Sequence, residues 1–225
     1  MRALGIAASG MLAQQTNVEV ISNNIANMNT TGFKRRRAEF QDLLYQNLRR
    51  VGSTSSDTGT VLPSGVQVGL GVKTAAVYMI AEHGNLQLTG NNYDIGIDGQ
   101  GFFQIATPTG ETAYTRAGSF QVSADGELVT PDGFVVQPGI TIPANAIGVT
   151  VNASGEVLVK ISGQVGDTNV GQIELANFPN PTGLQAIGDN LLLETAASGA
   201  PTTGVPGSPG FGRTSQGYLE TSNVN

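Results

Sequence analysis

The side chains that most often carry out protein chemistry are sparse in this sequence. Cysteine is absent and histidine occurs once, as His83, which excludes disulfides, thiolate metal sites and thiol nucleophiles. A lone histidine between Glu82 and Gly84 has no second histidine or thiolate with which to hold a metal and supports no Ser-His-acid triad. We therefore expect His83 to be a surface or turn residue, and we predict no metal site.

Acidic and glycine-rich segments give only weak alternatives. A hydrolase would need a convergent carboxylate pair among residues such as Asp94, Asp98 and Glu111, and no spacing in the sequence favours one. Residues 69–74 faintly resemble a phosphate-binding loop but lack its Gly-Lys-Ser/Thr step. Residues 99–101 contain part of a dinucleotide fingerprint but lead into a strand. We predict no catalytic residue, no cofactor and no enzymatic activity.

Composition and charge favour a β-rich protein with a weakly charged surface. Only 12% of the 225 residues are charged, and glycine occurs 31 times. Residues 1–50 carry seven basic and three acidic residues, a balance of +4, whereas residues 51–225 carry four basic and fourteen acidic residues, a balance of −10. The basic residues are too few for a nucleic-acid surface. No stretch approaches the roughly 18 apolar residues of a membrane-spanning helix, so we expect neither nucleic-acid binding nor membrane insertion.

Residues 3–28 are predicted to form one long helix. Its apolar residues follow a heptad pattern, interrupted by Gln14, and they are Leu4, Ala7, Met11, Val18, Ile21, Ile25 and Met28. We call these seven residues the helical seam. A seam so narrow and long is typical of a helix that pairs with another helix, although periodicity alone is also compatible with an amphipathic core helix.

The segment after this helix is less regular. A second, shorter helix is predicted from about Arg36 to Leu48, preceded by the basic run 34–37. Four basic side chains at a helix start oppose the helix dipole, which suggests that they contact acidic groups of another copy, although a solvated face is the default interpretation of such a run. Residues 49–65 are rich in Ser, Thr and Gly and are expected to form an extended connection.

From Val66 onward the pattern is that of antiparallel strands joined by tight turns. Val66, Val68, Leu70 and Val72 alternate with polar or small residues, which predicts one half-buried strand. Further strands are predicted within 102–106, 119–122, 127–130, 134–137, 149–151, 157–161 and 173–178. The fold class is therefore mainly β, with one antiparallel β-rich domain and a long N-terminal helix. The expected domains are 1–32 (helix and turn), 33–65 (short helix and linker), 66–216 (β domain) and 217–225 (return segment).

Four segments of the chain resemble the bacterial flagellar rod and hook proteins. The most specific is 22–34, Ser-Asn-Asn-Ile-Ala-Asn-Met-Asn-Thr-Thr-Gly-Phe-Lys, and segments 97–103, 114–120 and 217–224 agree with it in order. The signature residues that carry this resemblance are Asn23, Asn24, Asn27, Thr31, Gly32, Phe33 and Lys34. Within the family the chain is most similar to distal rod members, because the linker ends in Leu62, Pro63, Ser64 and Gly65 and no large domain is inserted. Proximal rod and hook members are the alternative.

The resemblance implies a self-assembling structural subunit of the flagellar basal body. Family members form a helical polymer in which terminal helices pair as a coiled coil around the inner tube, and they contact adjacent rod and hook proteins and the surrounding ring proteins. They are exported by the flagellar type III apparatus without a cleaved signal peptide, form a rod in the periplasm and transmit torque to the hook. The family also continues past Asn225 with a C-terminal helix, so we expect this sequence to be truncated.

A secreted β-rich binding module is the remaining alternative. It would account for the turns and the acidity of the chain, but it leaves the heptad pattern and the Asn-rich signature unexplained. It predicts that the N-terminus is removed, since residues 1–13 faintly resemble a short signal peptide.

Overall fold

The computed structural model describes residues 2–49 and 64–224 as a mainly β protein with one N-terminal helix. The described residues fall into two compact units, one built from residues up to Asn24 with Arg36–Tyr78, and the other from Ile25–Arg35 with the residues from Met79 onward. The first unit contains most of helix α1 (Arg2–Ala26) and strands β1 (Arg36–Asp42), β2 (Tyr45–Arg49), β3 (Val66–Gly69) and β4 (Val72–Met79). The predicted fold class is confirmed.

The second unit contains a short 3-10 helix at Pro181–Gly183 and the remaining strands. These are β5 (Leu86–Leu88), β6 (Ile95–Asp98), β7 (Phe102–Ala106), β8 (Thr112–Thr115), β9 (Gln121–Val122), β10 (Leu128–Val129), β11 (Val135–Val136), β12 (Ala146–Val151), β13 (Glu156–Ile161), β14 (Asp167–Gln172), β15 (Leu175–Asn177), β16 (Gln185–Gly188), β17 (Leu191–Leu193), β18 (Thr202–Gly204), β19 (Arg213–Gln216) and β20 (Tyr218–Glu220).

Helix α1 confirms the helix predicted over residues 3–28, and it ends two residues earlier. After Ala26 the chain makes successive tight turns, in which the amides of Met28 and Thr30 donate to the carbonyls of Ile25 and Asn27 over 3.2 Å each. Asparagine and glycine favour such non-helical backbone.

The short helix predicted from Arg36 to Leu48 is wrong, because β1 and β2 occupy this segment. The Asn24 side chain donates from Nδ2 to the carbonyl of Arg36 and accepts from the Arg36 amide through Oδ1, both over 2.8 Å. These two bonds reproduce the pairing of a neighbouring strand and hold Arg36 extended. Strand β1 also pairs with β4, so long-range pairing overrides the local helical pattern.

The single half-buried strand predicted from Val66 to Val72 is also wrong. The chain forms β3 and β4 instead, interrupted at Gly71, which has a φ of +124°. Strand β3 pairs antiparallel with β2 as a two-stranded ribbon whose side chains are mostly exposed. The alternating apolar residues of β3 therefore do not face a core formed by the described residues.

The second unit is organised around a nine-stranded sheet. Its strand order is β16-β17-β8-β7-β11-β10-β9, with β15 pairing both β7 and β18. Strands β12, β13 and β14 form a separate antiparallel sheet, and β6 pairs with β19 and β5 with β20. Every predicted run from residue 102 onward contains or overlaps an observed strand.

Strand β7 lies at the centre of the core and is buried on both faces. Phe103 and Ile105 have no exposed surface and belong to the large apolar cluster, in which Phe103 packs edge-on against Phe120 with ring centroids 5.0 Å apart. Phe102 points to the opposite face and packs against Phe178 in a smaller aromatic cluster. Because side chains pack against both faces of β7, its sequence is apolar at nearly every position.

Candidate functional site

Glu220, at the end of β20, is the centre of a buried ion cluster in the second unit. Its side chain is 1% exposed and pairs with two buried cations, Lys34 and Arg116. Lys34 donates to Oε1, Arg116 donates from Nε to Oε2 over 2.8 Å, and the Gly84 amide donates to Oε1 over 2.9 Å. Buried carboxylates are rarely stable unless paired and hydrogen-bonded in this way.

Arg116 extends the cluster to the turn between β6 and β7. Its Nη1 donates to the carbonyls of Gly99 at 2.9 Å and Gly101 at 2.6 Å, and its Nη2 donates to the carbonyl of Ile97 at 3.2 Å and to Nδ1 of His83 at 2.9 Å. Together with the bond to Glu220, these contacts use every N–H direction of the guanidinium group. Arg116 is thus a structural clamp with no donor left for a substrate.

The cluster changes the protonation behaviour of its members. Burial by itself would raise the pKa of Glu220, but the charges of Arg116 and Lys34 and hydrogen bonds from Lys34 and the Gly84 amide lower it below its ordinary value. Burial lowers the pKa of Lys34, and the attraction of Glu220 offsets only part of that effect. Glu220 therefore stays ionised at pH values below its ordinary pKa and holds both cations.

His83 is a member of this cluster rather than an isolated surface residue. Its Nδ1 accepts from Arg116, so the neutral ring carries its proton on Nε2. Burial, and next the positive charge of Arg116, lower the pKa of His83. The prediction of a surface or turn residue is correct in part, since the side chain is 44% exposed.

The backbone of the signature segment 22–34 docks onto the same place. The Gly32 amide donates to the carbonyl of Glu220 over 2.8 Å, and Gly32 has a φ of +69°. A Cβ added to Gly32 would lie 2.7 Å from the amide nitrogen of Ala117, so only glycine fits without a shift. Asn223 completes the contact by accepting from the Arg35 amide over 2.6 Å and donating to the carbonyl of Ile80 over 3.0 Å.

The structure thus brings parts of all four resemblance segments together. Of the predicted signature residues, Gly32 and Lys34 lie in the cluster, the Phe33 carbonyl accepts from the Asn223 amide at 3.3 Å, and Asn24 holds Arg36. Thr31 is half-buried, Asn27 accepts from the hydroxyl of Thr30, and Asn23 makes contacts of its own.

Sequence reasoning missed the partners that make this cluster, Arg116, Glu220 and Asn223. Each lies inside a segment that carries the family resemblance, and that was the available signal. The prediction that the basic run 34–37 contacts another copy is wrong for Lys34, which is buried and pairs with Glu220. Arg35 pairs with Glu82 over 2.8 Å at a partly exposed position, and for Arg35, Arg36 and Arg37 the contact with another copy stays a prediction.

The helical seam is largely uncovered. Leu4 is 73% exposed, Met11 68%, Val18 59% and Ile25 61%. The remaining seam positions, Ala7, Ile21 and Met28, are exposed as well. Of the predicted linker residues, Leu62 and Pro63 lie outside the described residues, Ser64 is exposed and Gly65 is half-buried.

The described residues show no arrangement suited to catalysis. They contain no group of three metal-ligating side chains, and none of their helices is long and apolar enough to cross a membrane. Asp94, one of the acids considered for hydrolysis, accepts from the Thr89 hydroxyl over 2.6 Å and from the side-chain Nδ2 of Asn91 over 3.1 Å, which are turn contacts. Asp98 and Glu111 are exposed.

Comparison with known proteins agrees with the resemblance found in the sequence. The profile of the flagella basal body rod protein family matches residues 4–34, and that of the flagellar hook protein FlgE/F/G D1 domain matches residues 96–159. Flagellar basal-body rod protein FlgG of Caulobacter vibrioides is 61% identical over 225 residues, covering all of this chain and 86% of its own length. FlgG of Agrobacterium fabrum is 53% identical with the same coverage.

A hook protein is similar over a smaller part of its length. Flagellar hook protein FlgE of Treponema pallidum is 42% identical over 168 residues, which cover 74% of this chain and 34% of the hook protein. The similarity to the two rod proteins thus extends over all of this chain and most of each relative. The rod proteins form a structural rather than an enzymatic family. The chain therefore belongs to the FlgG family of flagellar basal-body rod proteins, and it is a structural subunit of the distal rod.

Proposed function

We propose that copies of this chain polymerise into a rigid helical tube through the seam of α1. The observation that carries this proposal is the division of α1 into two faces. The seam is exposed, whereas the opposite face, formed by Ile6, Gly10, Ala13, Asn17, Val20 and Asn24, is half-buried or buried. The apolar stripe of the helix therefore faces away from the part of the chain that covers it.

The energetics of the seam favour a helical partner. Burying a large aliphatic side chain stabilises by roughly 1.5–3 kcal/mol, and six of the seven seam residues are large and at least 47% exposed. The covered face contributes less, since Ala13 is its only fully buried residue among those described. A second helix that packs on a heptad stripe buries it along its length.

Contacts that repeat head to tail without closing generate a helical polymer from identical copies. In this arrangement residues 1–32 form the inner tube, residues 66–216 form the outer β domain, and residues 33–65 and 217–225 connect them. The tube is a rod in the periplasm that carries torque to the hook inside the surrounding rings, and its subunits are exported by the type III apparatus without a cleaved signal. The family membership of the chain supports these assignments.

The ribbon of β2 and β3 supports a bridging role for the linker 49–65. Tyr45 is 56% exposed, Leu48 61% and Val66 48%, Leu44 just before β2 is 83% exposed, and a two-stranded ribbon is marginally stable in isolation. A neighbouring copy that covers these side chains would stiffen the tube. Deleting residues 49–62 is expected to give a curved or flexible shaft, and an unchanged straight rod would refute this role.

A pair of substitutions on α1 tests the proposed polymerisation. Val18→Asp places a charge in the seam, whereas Ser22→Asp places the same charge at an exposed position outside it. Assembly of purified protein is measured by sedimentation and electron microscopy. We expect Val18→Asp to abolish assembly and Ser22→Asp to retain it, with both monomers keeping the wild-type circular dichroism spectrum. Normal assembly of folded Val18→Asp would overturn the role of the seam.

A further inference from the structure

A cleft of about 220 Å³ opens beside the ion cluster in the second unit. Lys34, His83 and Arg116 line it together with Gln100, Phe102 and Phe178, and no acidic side chain belongs to its lining. It combines apolar walls with a small number of polar groups, as binding clefts do. The cluster described above thus has one side that faces accessible space.

The charges around this cleft do not balance. Two buried cations, Lys34 and Arg116, are paired with one buried carboxylate, Glu220. Glu82 is engaged with Arg35. Asp98 is exposed and acts on Arg116 only through space, since it forms no ion pair with it in the described structure. The cleft therefore has a positive excess that is only weakly screened, because its sources are buried.

His83 supplies the donor through which an anion would be held. Arg116 fixes Nδ1 as an acceptor, which leaves Nε2–H free to donate, and the His83 side chain is 44% exposed. Gln100, which is exposed, lies at the same cleft. The site thus offers one directed hydrogen bond within a positive field, which suits a single carboxylate.

The size of the cleft and the charge of the chain indicate the source of that carboxylate. Typical small-molecule sites have volumes of about 300–1,000 Å³, and this cleft is smaller. Its volume is suited to one or two amino-acid side chains. Residues 51–225 carry fourteen acidic and four basic residues, so a second copy offers many carboxylates. We propose that this cleft receives an Asp or Glu side chain of a neighbouring copy in the assembled rod. This contact rests on the proposed polymerisation but is separate from the helical seam.

Zero-length cross-linking on assembled rods tests the proposal. The variant Gln100→Lys places a primary amine at the cleft, and cells that produce it together with the wild-type chain form rods from both. Purified basal bodies are treated with a carbodiimide, and covalent dimers are separated on denaturing gels. Mass spectrometry then identifies the residue joined to position 100. The matched control is Gln121→Lys on the exposed strand β9.

The expected result is a dimer in which position 100 of one copy is joined to an Asp or Glu of another, at a yield at least about tenfold above that of the control. Cross-links from position 100 that stay within one chain, reach a different protein or only equal the control would overturn the proposal. Because the rods are taken from cells, this outcome does not depend on the seam, and assembly of Val18→Asp bears on the seam alone.

Discussion

Removing the charge of Glu220 should destabilise the second unit strongly. Glu220→Gln keeps the size and shape of the side chain but leaves Lys34 and Arg116 buried without a counter-charge, where their side chains are 5% and 4% exposed. Breaking a buried ion pair by removing one partner costs about 3–5 kcal/mol. Domains are stable by only about 5–15 kcal/mol, so this single change is expected to remove a large part of the stability.

The chain itself provides a matched control. Glu82→Gln makes the same chemical change in the ion pair with Arg35, where the Glu82 side chain is 67% exposed. An exposed pair contributes about 0–1 kcal/mol, and the backbone carbonyl of Glu82, which accepts from Lys34 and Asn223, is unaffected by the substitution.

Urea unfolding of the monomeric protein, followed by circular dichroism, measures both variants. With a slope of about 2–3 kcal/mol/M, Glu220→Gln should lower the midpoint by about 1 M or more, and Glu82→Gln by no more than about 0.5 M. Equal midpoints for the two variants would refute the conclusion that burial makes this cluster strong. A second check is the double variant Lys34→Met with Glu220→Gln, which should lose less stability than the sum of the single variants, because the two residues are in contact.

Three further outcomes follow from the same contacts. Gly32→Ala should destabilise the protein by about 2 kcal/mol or more, because it adds a clash to an unfavourable positive φ. Gly90→Ala, at a φ of +74° with no atom within 4 Å of the added Cβ, should cost only about 1 kcal/mol. Thermal unfolding compares the stability of the two variants. Because the pKa of Glu220 is lower in the folded state, its ionised form stabilises the fold above its ordinary pKa of 4.5, and this stabilisation is lost as the pH falls through the folded pKa. The free energy of unfolding should therefore depend less on pH in the acid range in Glu220→Gln than in the wild-type protein. Residues 1–30 of a verified monomer should exchange their amide hydrogens rapidly, since the helical seam is exposed; strong protection there would contradict this expectation.

Local patterns predicted the parts of the fold that local interactions determine. Helix α1 follows from a heptad repeat, and strands β7, β9 to β13 and β15 follow from short apolar runs, several of them bounded by Asp-Gly and similar turns. Strands β5, β6, β8, β14 and β16 to β20 lie outside the predicted runs. Among them, β14 and β18 have the sequences Asp-Thr-Asn-Val-Gly-Gln and Thr-Thr-Gly, which contain no apolar run of their own. Their strand structure comes from pairing with β13 and β15.

The segment after α1 shows where a local pattern is misleading. Phe40, Leu43 and Leu48 have helical spacing, yet the segment is extended because Asn24 and β4 supply it with strand partners. Neither partner is adjacent in sequence, so no window of a few residues contains the deciding information. The same limit applies to the exposed ribbon, whose apolar residues have the alternation of a buried strand without a buried face.

Sequence patterns picked out the segments that contain the members of the ion cluster but did not predict that these members pair. Lys34 was seen as one of four consecutive basic residues, which usually form a solvated face, and its carboxylate partner lies 186 positions away. Lys34 is buried and Arg37 is exposed because Lys34 follows Gly32 by two residues. Only a residue without Cβ allows the backbone at position 32 to pack against residues 116 and 117, and this packing places Lys34 in the interior. Once buried, the lysine requires a carboxylate, and Glu220 stays ionised against the cost of burial because Arg116, Lys34 and the Gly84 amide together lower its pKa. A signature of small and polar residues thus specifies a docking geometry, and the charges then stabilise that geometry and disfavour alternatives in which either cation is left unpaired.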